Sequence, residues 1–146
     1  MKGIYPAQVS DFDAITVLWE ASVRATHHFL SETDIVTLRP QVRDQYLPMV
    51  ELRVYRDEQQ VILGFLGVAE HRLEMLFVHP DACGKGIGKQ LLHYAIENMG
   101  VTEVDVNEQN PQALGFYQSQ GFVVSGRSPL DGQGNPFPLI HLRLMR

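Results

Sequence analysis

The chain contains almost no cysteine. Cys83 stands alone in 146 residues, which excludes an internal disulfide and leaves a Cys-based zinc site within one chain unsupported. No metal site is expected. Long apolar runs are also missing. The longest, Val61 to Ala69, has nine residues, whereas a membrane-spanning helix needs roughly 20. Met1 to Asp13 lacks the apolar segment of a signal peptide. Basic charge is scarce: 12 Lys plus Arg face 17 Asp plus Glu, for a net charge of −5. That balance lacks the basic face on which broad nucleic-acid binding depends. With 45% hydrophobic residues, the chain is not a disordered one. No repeat, low-complexity segment or linker divides it. The expectation is one folded domain over residues 1–146, cytoplasmic, a monomer or homodimer, with neither nucleic acid nor membrane as partner.

Lysine occurs only at Lys2, Lys85 and Lys89. Two of these fall within the most glycine-rich stretch. A locally basic glycine turn in an acidic chain points to an anionic ligand.

The periodicity predicts an α/β or α+β order. Lys2 to Pro6 is a short strand. Ser10 and Asp13 resemble a capping box. Phe12, Ile15, Trp19, Ser22, Thr26 and Phe29 then recur as one helical stripe. Ser31 and Asp34 open a second helix, with Ile35, Leu38, Val42 and Tyr46 inward and an interruption at Pro40. Glu51 to Arg56 alternates like a strand, and Asp57 to Gln60 is a turn. Val61 to Ala69 fits a strand buried on both faces, and Leu73 to Val78 is a third strand of the meander. Gly88 to Met99 is a helix ended by Gly100. Val101 to Val106 is a strand. Asn110 followed by Pro111 starts a helix that runs to Gln120. Phe122 to Ser125 and Phe137 to Leu144 are strands joined across the turn residues Asp131 to Asn135.

The stretch from Leu76 to Lys89 is strand, glycine turn and helix start. Such a junction gathers unpaired backbone N–H groups at the positive end of a helix dipole and suits phosphate or diphosphate. A Walker A loop would need glycine in place of Cys83 and Ser or Thr in place of Gln90. A dinucleotide fingerprint would need a small residue in place of Lys89. A tight turn without ligand is the bland alternative; the two lysines and the preceding strand favour the anion site.

Val78-x-Pro80-x-x-Cys83-x-x-Gly86-x-Gly88 resembles the acetyl-CoA loop of the GNAT superfamily of N-acetyltransferases, which carries Gln or Arg ahead of the glycines. Asn110-x-x-Ala113-x-x-x-Tyr117 followed by Gly121-Phe122 resembles the same family's CoA-side helix. Ile4-Tyr5-Pro6-Ala7 followed by Asp11 is also typical. The resemblance spans nearly the whole chain in the family's order. Ala25 to Leu30 and Val106 to Asn110 are similar to the family's small single-domain bacterial members.

The resemblance implies a mixed, mostly antiparallel sheet of six to seven strands, splayed at the acetyl-CoA site and flanked by about four helices. It implies that free backbone groups of Leu76, Phe77 and Val78 bind the pantetheine arm. The diphosphate would sit on the loop from Cys83 through Gly84, Lys85, Gly86, Ile87 and Gly88 to Lys89. Asn110 and Ala113 would lie beside the arm, and Tyr117 near the thioester. Asn110, Ala113 and Tyr117 share one helix face by spacing alone, although Tyr117 as core packing and Asn110 as a plain cap fit that spacing too. Cys83 departs from the family's pattern. It fits as a small filler, and a helix N-terminus also allows a reactive thiol there.

The implied reaction is acetyl transfer from acetyl-CoA to a primary amine by direct attack. An amine with a pKa near 10.4 costs about 4–5 kcal/mol to deprotonate at pH 7, so a base or ordered water is needed. Glu74 is the candidate base, and Asn107 is a candidate to hold water. Val78 N–H is the candidate oxyanion donor and Tyr117 the acid for the departing thiolate. His27 and Phe29 are candidate acceptor-binding residues; His27 and His28 can instead satisfy a helix end. The resemblance implies that the region from His27 to Pro48 shapes the acceptor pocket. The acidic balance favours a cationic amine or polyamine, and small-molecule and peptide acceptors both remain open. A non-catalytic acyl-CoA-binding domain and a nucleotide-phosphate module are the competing readings.

Overall fold

Seven strands form one sheet in the order β1-β2-β3-β4-β5-β7-β6. The computed structural model describes residues 2–131 and 134–145. The strands are β1 (Gly3–Pro6), β2 (Glu51–Arg56), β3 (Ile62–Ala69), β4 (Arg72–Val78), β5 (Glu103–Asn107), β6 (Phe122–Ser128) and β7 (Leu139–Leu144). Every neighbouring pair is antiparallel except β4 and β5. The helices are α1 (Phe12–Thr26), α2 (Glu32–Gln41), α3 (Ile87–Met99) and α4 (Pro111–Ser119). No helix among the described residues is long and apolar enough to cross a membrane.

The sheet carries a core on each face. Leu66, Leu91, Leu92, Val104, Tyr117 and Phe122 belong to the core under α3 and α4. Ile15, Trp19, Ile35, Val54 and Phe65 belong to the core under α1 and α2. Phe65 and Leu66 are neighbours in β3, lie in different cores, and are both fully buried. This is why the run after Val61 is apolar on both faces. Val61 itself is half exposed and precedes the strand. Truncating either buried side chain to alanine costs on the order of 2–5 kcal/mol.

Several boundaries differ from expectation. The cap of the first helical segment is formed by Gln8, whose N–H donates to Asp11 Oδ2 at 2.9 Å, and not by Ser10 and Asp13. One 3-10 turn precedes α1. Asp11 also accepts from Arg56 at 2.9 Å, while Asp13 reaches outward to Arg43. The stripe stops short of Phe29, because α1 ends at Thr26 and His27 leaves helical geometry. The box at Ser31 and Asp34 is present in both directions.

Pro40 does not interrupt α2. The residue whose carbonyl it would have bonded, Val36, is exposed, so that carbonyl can turn to water. The chain continues helically through a widened turn at Val42–Tyr46. β6 extends to Ser128 past a bulge between Val124 and Gly126. β7 begins at Leu139 rather than Phe137. In the connection, Asp131 Oδ1 accepts from Asn135 N–H at 2.9 Å; Gly132 and Gln133 of the expected turn lie outside the described residues.

Candidate active site

Strands β4 and β5 pair only at Arg72 with Glu103 and at Leu73 with Val104. Beyond those positions they diverge, leaving a cleft lined by Glu74, Leu76, Asp105, Asn107, Asn110 and Tyr117 among others. The main-chain groups of β4 sort by register. His79 N–H donates to Leu63 C=O at 2.8 Å, and Val78, Phe77, Leu76 and Met75 face Gly64, Phe65, Leu66 and Gly67 in turn. Antiparallel pairs alternate between bonded and non-bonded. The amides and carbonyls of Phe77 and Met75 are therefore used by β3, while those of Leu76 and Val78 turn toward the cleft. This corrects the expectation for Phe77, whose contribution to the cleft is its ring.

Glu74 sits at a β-bulge. Gly67 pairs with Met75 and Val68 with Leu73, so Glu74 has no opposite number. The extra residue shifts the side-chain parity: Leu73 joins Leu76 and Val78 on the α3 face, and Met75 and Phe77 take the α1 face. Bulges recur beside active sites because they re-aim a side chain. Here the bulge sets Glu74 at the edge of the gap. Loss of hydration in the cleft raises its carboxyl pKa; Arg72 opposes that shift and Asp105 adds to it.

At the loop, Gly84 and Gly86 have φ of +83° and +78°, and a Cβ at either would meet nothing within 4 Å. The backbone conformation, not crowding, selects glycine there. Gln90 N–H makes the first helical bond, to Gly86 C=O, so the amides of Ile87, Gly88 and Lys89 have no acceptor within the helix. Lys85 and Lys89 are exposed beside them. Two of the expected contacts change. The Ile87 side chain is buried in the core, so only its amide is available. Cys83 N–H already donates to Pro80 C=O, and its Sγ lies 3.6 Å from His79 C=O, so the open amides begin at Gly84.

Asn110 caps α4, accepting from Ala113 N–H at 3.3 Å through Oδ1, and it lines the cleft as well. Tyr117 is buried between the rings of Phe116 and Phe122 with its edge on the cleft. Burial pushes its hydroxyl pKa well above the ordinary tyrosine value, which keeps it a proton donor. Val78 does not line the part of the cleft that Tyr117 does, whereas Leu76 does. Of the two residues with cleft-facing amides, Leu76 is the one that lines the same cleft as Tyr117.

On the other face of the sheet is a cavity of about 440 Å³ between α1, α2 and β4. His27, Glu74, Met75, Phe77 and Asn107 line both this cavity and the cleft. Asn107 Oδ1 is buried there and has no hydrogen-bond partner, an acceptor that a donor from a bound molecule would satisfy. The two histidines divide their roles. His28 Nε2 lies 2.9 Å from Ala25 C=O at the end of α1. His27 faces the cavities, with its pKa lowered by burial and then by His28. Its ring is one of five in sequence, Phe65, Phe77, His27, Phe29 and Phe137, with successive centroids 5.3–6.1 Å apart. Sequence reasoning placed His27 and Phe29 here but missed Trp19 and Phe137. Phe137 lies in a proline-flanked connection just before β7, where the sequence predicts the opening of that strand.

Asp105, on the same strand as Asn107, is braced from behind. His141 Nδ1 lies 2.6 Å from Asp105 Oδ1, and His141 Nε2 lies 2.6 Å from Ser128 Oγ. The connectivity is that of a Ser–His–Asp relay, but neither the cleft nor the cavity is lined by Ser128 or His141. The network holds Asp105 in place across β5, β7 and β6.

Residues 50–124 match the family model for the acetyltransferase (GNAT) domain. The chain belongs to the GNAT family. It is 40% identical over 142 residues to the peptidyl-lysine N-acetyltransferase YjaB of Salmonella typhimurium, covering 97% of each chain. The solution structure of apo-form YjaB from Escherichia coli superposes with a TM-score of 0.89 at 36% identity, covering 99% of this chain and 98% of that one. A PaiA N-acetyltransferase from Thermoplasma acidophilum, solved in complex with coenzyme A, shares the GNAT fold at a TM-score of 0.76 and 20% identity, covering 98% of this chain and 99% of that one. This GNAT chain is thus an acetyl-CoA-dependent N-acetyltransferase.

Proposed function

We propose that the chain binds acetyl-CoA along the cleft and passes its acetyl group directly to a primary amine entering from the opposite cavity, in one ternary complex and within one domain. The observation that carries this is the shared wall. Two cavities on opposite faces of the sheet meet at Glu74, Asn107 and His27, so two substrates can meet there without an enzyme-bound acetyl group.

Acetyl-CoA supplies the activated thioester. The amides from Gly84 to Lys89 bind the diphosphate, aided by Lys85 and Lys89. Leu76 and Val78 offer main-chain groups to the pantetheine arm as an added strand would. Leu76 N–H, in place of Val78 N–H, donates to the acetyl oxygen. Asn107 Oδ1 accepts from the incoming amine, and Glu74, directly or through water, takes its proton. The amine nitrogen bonds to the acetyl carbon as the carbon–sulfur bond breaks, Tyr117 gives its proton to the sulfur, and the second proton of the nitrogen passes through water to restore the Tyr117 hydroxyl. Cys83 takes no part. A cytoplasmic setting, consistent with one unpaired cysteine, belongs to the same proposal.

Thiol release measured with acetyl-CoA and a panel of amines tests the reading, alongside calorimetry with acetyl-CoA alone. Binding with amine-dependent turnover is expected. Binding without turnover across the panel contradicts direct transfer.

A further inference from the structure

The acceptor cavity has a composition unlike the chain as a whole. Its wall is aromatic and aliphatic, from Trp19, Phe29, Leu38, Val42, Phe77 and Phe137 among others. Among the described residues, the acids on it are Glu74 and Asp131, and no lysine or arginine lines it. Asp131 is engaged with Asn135 through both carboxylate oxygens. The net charge of −5 is thus not concentrated in the cavity, and the polyamine suggested by composition finds no line of free carboxylates there.

Apart from Asp131 and Tyr46, the polar groups gather at one end. Glu74, Asn107 Oδ1 and His27 lie where the cavity meets the cleft. Outward from that end the ring series of Phe77, His27, Phe29 and Phe137 forms one side. Such a wall offers a bound ring edge and face contacts. Among the described residues it offers an α-carboxylate no lysine or arginine, and Asp131 on the same wall repels one.

Resting on the acetyl-transfer reading, we propose that the acceptor is a primary amine on a ring-sized apolar body that bears no carboxylate. The amine sits at Glu74 and Asn107, and the body lies against Phe29 and Phe137.

The test compares five amines under saturating acetyl-CoA by thiol release: 2-phenylethylamine, butylamine as the stem of a lysine side chain, Nα-acetyl-lysine amide, L-phenylalanine and spermidine. The expected kcat/KM for 2-phenylethylamine exceeds that for butylamine and spermidine by about tenfold or more, and that for L-phenylalanine by about 100-fold or more. Phe29→Ala is expected to narrow the preference over butylamine by about fivefold. Turnover of butylamine, spermidine or Nα-acetyl-lysine amide as good as that of 2-phenylethylamine overturns this inference and leaves acetyl transfer standing. A preference that survives Phe29→Ala overturns the placement of the body. Absence of both acetyl-CoA binding and turnover overturns the inference together with the reading beneath it.

Discussion

Leu73 lies opposite Val104, and past that pair the two strands no longer touch. A parallel junction of two residue pairs is short for neighbours in a sheet. It leaves Leu76 and Val78 with cleft-facing main-chain groups, and it opens the sheet at the level of Tyr117 and Asn107. The bulge at Glu74 comes one residue later. Splay and bulge together place a carboxylate, an orphaned amide oxygen and a phenol around one gap.

In the proposed mechanism, Tyr117→Phe removes the proton offered to the leaving sulfur. A general acid contributes about 100-fold or more, and kcat with a working amine is expected to fall by that order. The affinity for acetyl-CoA, read by calorimetry, is expected to stay within about twofold. An unchanged kcat removes Tyr117 from the chemistry.

Glu74 works as a base only when ionised, and its pKa is raised. The rate is therefore expected to fall as pH drops through a value above the usual glutamate range. Glu74→Gln should abolish that acidic limb and lower kcat/KM by about 100-fold. The check is a pH profile of kcat/KM for both forms; an identical limb in the variant contradicts the assignment.

Gly86→Val places a branched side chain at φ +78° on the amide cradle. The dissociation constant for acetyl-CoA is expected to rise about tenfold or more, since a left-handed β-branched residue costs 1–3 kcal/mol or forces the loop to rearrange. Circular dichroism should show α3 retained. Unaltered affinity would move the diphosphate elsewhere.

His27 is buried with a lowered pKa. The unfolded chain binds its proton at higher pH than the folded chain does, so the stability that His27 contributes is complete above its unfolded pKa, near 6.5. It is lost as pH falls toward the folded value. The melting temperature should decline across that window, and less steeply in His27→Gln. Parallel declines would contradict the shift.

Much of the fold was legible because its signals are local. The stripes at Leu91, Leu92 and Ala95, the cap at Asn110 and the left-handed glycines each depend on a few neighbours, and the two family motifs lie on those elements. Other features depend on distant partners. The bulge at Glu74 exists because Leu73 must face α3 while Met75 faces α1. The helix passes Pro40 because Val36 lies at the surface. Asp11 caps the 3-10 turn before α1 while also holding Arg56. The cavity brings together Trp19 and Phe137, which are far apart in the chain. No spacing in the sequence records those meetings.

The most direct measurement is a crystal structure with coenzyme A bound. The diphosphate should lie on the amides of residues 84–89, the pantetheine arm between β4 and β5, and the sulfur beside the Tyr117 hydroxyl. Coenzyme A bound elsewhere, with the gap between Leu76 and Asn107 left empty, would contradict the account.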